Sequence, residues 1–123
     1  MNAFSSRWIY VALVYFVVAV VMGIFMGASG DHSLRAVHVH MNLLGWVSLA
    51  LIGIIYHHFP NAGSSKLASV HFWLYNLALA PMMLCLGLMI KGYPGMEPVM
   101  GLLSMIVGVS VLLFAVNVYS HRA

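Results

Sequence analysis

Four apolar runs, each about 20 residues long and separated by short polar or Pro/Gly-containing segments, constrain this chain more than any other feature in it. At ~1.5 Å per residue, a helical run of that length crosses the ~30 Å hydrocarbon core of a bilayer. The runs fall at residues 8–28, 36–56, 67–90 and 96–119. Lipid offers backbone N–H and C=O groups no partners, so spans this short must be helices. The expected fold is all-α, an integral membrane four-helix bundle forming a single domain over residues 1–123. Composition agrees: 63% of residues are hydrophobic and 6% are charged, where a soluble domain carries about 25% charged residues. The first run has no small-residue cleavage site behind a short apolar core, so it reads as a retained span and not as a signal peptide.

The charged residues set orientation and exclude one class of partner. Five Lys and Arg against two Asp and Glu give a net charge of +3, but no basic run exists, so nucleic acid is not expected as a partner. Arg7, Lys66 and Arg122 flank the spans on one side; Arg35 and Lys91 lie on the other, beside Asp31 and Glu97. That bias places both termini in the cytoplasm. The single Cys, Cys85, excludes an intramolecular disulfide. Trp8, Tyr10, Tyr56, Tyr93 and Tyr119 fall near span ends, where aromatic residues anchor a helix at the headgroup level. Ser48, Asn76 and Ser104 lie at membrane depth and are expected to bond across helices. Gly23 and Gly27 have a spacing that permits close helix contact.

Seven histidines stand out against so apolar a background. The stretch "VHVHMNLLGWV", Val37 to Val47, opens the second span with His38 and His40 about one turn inside the hydrocarbon. Polar side chains at that depth mark functional sites by default, and neutral imidazole is a ligand for transition metals and for heme iron. Residues two apart on a helix point about 200° from each other. One helix cannot bring both imidazoles to one ion, so His38 and His40 face two different neighbours. The alternative is that each bonds a backbone carbonyl or another helix. Arg35, just before the pair, either snorkels at the membrane surface or pairs with heme propionates there.

His57 and His58 lie about 17 residues beyond His40, roughly 25 Å along the helix, too far to share a ligand with it. They read as interfacial residues or, with His71 of the third span, as a second metal site; for His71 a hydrogen bond inside the bundle is the alternative. His32 lies in the first loop, where it is placed to cap a propionate, and His121 lies in the solvated tail. Trp46, Trp73 and Tyr75 either line a porphyrin or a quinone or simply pack, and Gly45 and Gly53 admit either a flat macrocycle or a neighbouring helix. The ten Met residues read as adaptable packing.

"LRAVHVHMNLLGWVSLALIGIIYHHFP" followed by "KLASVHFWLYNLALAP" resembles the catalytic subunit of the heme–copper oxidase superfamily, closest to its nitric oxide reductase and cbb-type branches. His40 with Asn42, Leu43 and Leu44 matches the family's pattern at the opening of its second helix, and His71 to Leu74 resembles the opening of its third. The resemblance implies that His40 is a low-spin heme ligand, and the His-x-His pattern is similar to a helix whose two histidines serve two hemes. Four helices correspond to one third of that subunit, and no recognisable copper site is present. Three copies around a threefold axis would rebuild a body of the family's size, with His40 of one copy facing His38 of the next.

The expected function is that of a heme-b-binding protein of a bacterial cytoplasmic membrane with a redox or electron-transfer role. Bis-histidine hemes shared within a homotrimer would exchange electrons with a quinone or cytochrome partner. An open axial position for nitric oxide or oxygen is the enzymatic alternative. Copper or heme handling, or service as an oxidase accessory subunit, are the others. With Asp31 and Glu97 the only carboxylates, both in loops, no acidic proton path through the membrane is expected.

Overall fold

The structure, a computed structural model, describes residues 1–122. Its elements follow from caps and breakers around the apolar runs. The first helix, Ala3–Ser29, begins where the Asn2 side chain accepts from the Ser5 N–H at 2.8 Å, and ends at Gly30, whose φ of 71° is one a left-handed C-cap favours. It starts five residues before the apolar run because Asn2 caps a polar first turn. The second spanning helix, Arg35–His58, contains a wider π-helical stretch at Met41–Val47 that hydropathy does not announce. A single turn, Pro60–Gly63, with Pro at its first position, leads to Ser65, which caps the third helix, Lys66–Ile90, through the Ala68 N–H. The third helix continues through Pro81. Gly92, at a φ of 107°, turns the chain into a short 3-10 turn, Pro94–Met96, and then the fourth helix, Glu97–Ser120.

All four helices are long and apolar enough to cross a membrane, so the chain has the make-up of a multi-pass membrane protein. Residues buried inside the molecule make up 33% of the most apolar stretch of the second and third helices, but 11% of the first and fourth. The middle pair therefore forms the core, and the outer pair turns most of its surface outward, as Phe25 and Met105 show, each 70% exposed.

The first helix lies along the second, and the fourth along the third. The first pair approaches closely where glycine removes the Cβ. A Cβ on Gly45 would meet the Tyr15 ring at 2.6 Å, and one on Gly53 would meet the Ser5 carbonyl and Trp8 Cβ at 3.0 Å. Gly23 is filled in the same way by His38, while Gly27 has nothing near it. Trp8 and Tyr56, expected at the headgroup level, are instead wholly buried; Tyr10, Tyr93 and Tyr119 are exposed near helix ends. The reason is a polar centre inside the bundle, which both buried aromatics serve.

Candidate functional site

His38 and His40 stand on the first turns of the second helix with different surroundings. His38 turns onto the first helix, where its imidazole Cε1 lies 3.0 Å from the position of a Cβ on Gly23. Its Nδ1 is buried without a hydrogen-bond partner, and its Nε2 is 3.5 Å from the Asn42 amide nitrogen. His40 is half-buried, and its Nδ1 lies 2.7 Å from the Ala36 carbonyl oxygen one turn back. A carbonyl only accepts, so Nδ1 carries the hydrogen, and in the tautomer this bond selects the lone pair is on Nε2. That is the state of a metal-ligating imidazole whose orientation is fixed by a second hydrogen bond. Along the same helix Leu43, Val47 and Leu51 are exposed, giving His40 an apolar outer surface of the kind a macrocycle covers. Arg35 is also exposed, at the membrane end of this helix.

The π-helical turn follows at once. In an α-helix the Ser48 N–H would bond the Leu44 carbonyl; here it bonds Leu43, one residue further back. The Leu44 oxygen so released accepts from the Tyr75 hydroxyl of the third helix at 2.6 Å, and the Ser48 hydroxyl donates to Leu43 at 2.6 Å. The Leu43 and Leu44 carbonyls at the end of the wider turn thus both have donors, in a region where water cannot serve. Such turns recur at functional sites. Gly45 and Trp46 face the first helix: Tyr15 fills the space at Gly45, and the Trp46 ring stacks on Phe16 at 4.3 Å and 10°. Both therefore pack against protein, and neither presents an open face to a macrocycle. Trp73 is exposed and Tyr75 buried.

At the same end, Lys91 ties the first and third loops together, lying 3.7 Å from the Asp31 carboxylate and donating to the Ser33 hydroxyl at 3.0 Å. The Ser33 backbone N–H, then its hydroxyl, then the Lys91 charge hold the Asp31 carboxyl below the ordinary aspartate range.

The other end holds a second polar centre. His71 is fully buried, between Trp8 (ring centroids 4.7 Å apart) and Phe114 (5.0 Å). Its Nδ1 is 2.8 Å from the Tyr56 oxygen. Asn117 of the fourth helix donates to that oxygen at 3.5 Å and to the Ala62 carbonyl at 3.0 Å, while its own oxygen accepts from Ser65 at 3.0 Å. The phenol hydrogen therefore points to His71 Nδ1, which leaves the imidazole hydrogen on Nε2, an atom with no partner. His57 and His58 are exposed, so His71 does not join them in the second metal site the sequence allows. Among the described residues, no group of three His, Cys, Asp or Glu side chains comes together to hold an ion. His71 instead bonds within the bundle.

Of Ser48, Asn76 and Ser104, the first two bond carbonyls of their own helices, and Ser104 also reaches another helix, at the Met82 sulfur, 3.3 Å away. Asn117, which joins three segments, went unnoticed in the sequence; its signal was an amide inside the last apolar run. Tyr15 and the Tyr75–Leu44 bond carry no sequence signal.

Fold and site together define a four-helix, multi-pass membrane protein whose second helix carries one inward and one outward imidazole. No protein-family model, curated protein or solved structure matches the chain.

Proposed function

We propose that the protein binds heme b within the membrane, with His40 as axial ligand, and carries electrons in a bacterial cytoplasmic membrane. The observation that carries this reading is the bond from His40 Nδ1 to the Ala36 carbonyl, which leaves Nε2 as a fixed, outward-facing lone pair. The donor set fits an iron porphyrin. His40 supplies the ligand, the apolar stripe of Leu43, Val47 and Leu51 supplies cover, and Arg35 lies at the surface where propionates leave the hydrocarbon. When bound, the iron supplies one-electron chemistry. The chain's own part is to aim the imidazole, hold its tautomer and keep water away.

His38 has a different role from the one its spacing implies. Its ring is turned onto Gly23 of the first helix, which supports a role in seating the first helix against the second. A homotrimer with His40 at each interface keeps the assembly idea, with the second axial ligand contributed from outside the chain or absent. The turn of His38 away from His40 favours the enzymatic alternative as a second reading, an iron with a position open to nitric oxide or oxygen. The excess of Arg7, Lys66 and Arg122 at one end supports termini in the cytoplasm.

The test is a visible spectrum of the purified protein, oxidised and reduced, for wild type, His40→Ala and His38→Ala. A Soret band lost in His40→Ala and retained in His38→Ala is the expected result. Carbon monoxide then separates the two readings: a large Soret shift in the reduced protein identifies the open position, and no shift identifies a second ligand. A colourless wild-type protein made with ample iron and porphyrin ends the proposal.

A further inference from the structure

The second and fourth helices do not close on each other, and the gap between them is a groove. Its deep part is floored by Tyr75 and edged by Leu44 and Ser48, its outer part reaches Tyr119 and Arg122, and Ile55, Val111 and Phe114 line both. The two parts have cavity volumes of about 320 and 400 Å³ and are continuous through those shared residues. We infer that this groove binds one acyl chain of an anionic phospholipid, with Arg122 holding the headgroup phosphate. This inference is independent of the heme reading.

Depth is the first argument. Leu44 and Ser48 bracket the middle of the Arg35–His58 span, so the residues lining the groove run from one end of the bundle to about its middle. From Phe59 to Leu44, its deepest lining residue, the helix rises about 22 Å, beyond the ~15 Å of one leaflet but short of the ~30 Å of both. A lipid tail fills such a length; a spanning helix of a second copy does not end at the midplane.

Polarity is the second. The two hydroxyls at the deep end are committed, Tyr75 to the Leu44 carbonyl and Ser48 to the Leu43 carbonyl. No hydroxyl hydrogen is left there for a quinone carbonyl, so the deep end suits a hydrocarbon tail.

Charge is the third. Arg122 at the mouth stacks over the Tyr119 ring at 4.0 Å and donates once, to the Tyr119 carbonyl, which leaves the rest of its fork of N–H donors uncommitted. Arg7 and Lys66 lie at the same end of the bundle, and both carboxylates, Asp31 and Glu97, lie at the other. Among the described residues, no acidic side chain lies at this end to repel a phosphate.

The test uses the full-length protein, delipidated in mild detergent and offered equimolar phosphatidylglycerol and phosphatidylethanolamine, with retained lipid counted by native mass spectrometry. The wild type is expected to retain one phosphatidylglycerol in preference to phosphatidylethanolamine. Arg122→Gln should cut that preference about fivefold, the worth of one basic residue at an anionic surface. Ala115→Phe, which fills the outer groove, should abolish retention of both lipids. Leu102→Phe, an exposed position outside the groove, should leave retention unchanged. Equal retention of the two lipids by wild type, or unchanged retention in Ala115→Phe, overturns the inference. So does a dimer of the chain that Ala115→Phe dissolves, since the groove would then seat a second copy.

Discussion

The Tyr56 oxygen and Nδ1 of His71 lie 2.8 Å apart, and neither side chain has any exposed surface. That single contact joins the end of the second helix to the start of the third. Trp8 brings the first helix to it and Asn117 the fourth. In hydrocarbon, helices gain little from burying apolar surface against each other, because lipid is as apolar as leucine; packing and interhelical hydrogen bonds hold them together. The Tyr56–His71–Asn117 centre gathers several of those bonds in one place, with the Tyr75–Leu44 bond a further one nearer the middle of the bundle.

Tyr56→Phe should therefore destabilise the bundle by about 1–2 kcal/mol. Interhelical hydrogen bonds in membranes average ~0.6 kcal/mol, but this change also strands a buried acceptor on His71, for which ~1–3 kcal/mol is typical. Reversible unfolding in mixed detergent micelles measures it. His71→Phe keeps the stack between Trp8 and Phe114 and removes the partnerless Nε2, so its loss should be smaller than that of Tyr56→Phe. An unchanged unfolding midpoint in Tyr56→Phe contradicts the assignment of this pair as the bundle's polar clasp.

Gly45→Val should cost about 1–3 kcal/mol by overpacking, because its Cβ has to displace the Tyr15 ring root, and not a mobile tip. Shortening the neighbour in Gly45→Val/Tyr15→Ala should recover part of that loss, and the double-mutant cycle gives the coupling. Gly27→Ala is the internal control. Nothing lies within 4 Å of its Cβ position, so it should be neutral or stabilising by up to ~1 kcal/mol, the helix-propensity difference.

The architecture was readable from hydropathy because a lipid solvent leaves the chain only one way to satisfy its backbone. Ends were less readable: Asn2 carried the first helix past its apolar run, since a cap acts locally and hydropathy does not register it. That His38 and His40 have different surroundings followed from helical geometry, but which of them faces the first helix did not. Which imidazole faces inward depends on Gly23 making room, a fact about a neighbouring helix. Trp8 and Tyr56 show the same limit. An aromatic near a helix end reads as an anchor until a buried histidine and amide give it a reason to turn inward.

Acid should loosen the loops at the His40 end. The Asp31 carboxyl is held below its ordinary range chiefly by the Ser33 N–H and hydroxyl, then by Lys91. A depressed folded-state value means that its contribution is fully present above the unfolded value of ~3.9 and is lost as pH falls through the lower folded value. Between pH 6 and 5, wild type and Asp31→Asn should show parallel behaviour. Below pH ~4 the wild type alone should lose a small increment. Because both partners are largely exposed, that increment should shrink in high salt. Amide exchange of the first and third loops, followed against pH, reads it directly; an acid response retained in Asp31→Asn assigns the effect elsewhere.

The π-helical turn that follows His40 is bonded to a hydroxyl on another helix, and that bond should help to set where His40 points. Tyr75 donates to the Leu44 carbonyl, the oxygen that the π-helical turn has released from the Ser48 N–H. In Tyr75→Phe the carbonyl faces hydrocarbon without a partner, and the nearest remedy is for the Ser48 N–H to return to it, tightening the turn to α. Removing the turn's extra width rotates everything before it, relative to everything after, by up to about 100°, one residue's worth of helix. Val39, now 49% exposed, reports the rotation. A spin label at Val39→Cys, in a Cys85→Ser background, should lose accessibility to dissolved oxygen when Tyr75→Phe is added. Ser48→Ala should do less, since the Ser48 hydroxyl shares the Leu43 carbonyl with a backbone N–H that remains. If Tyr75→Phe leaves the label's accessibility unchanged, the turn is held by the helix's own packing, and Tyr75 does not position His40.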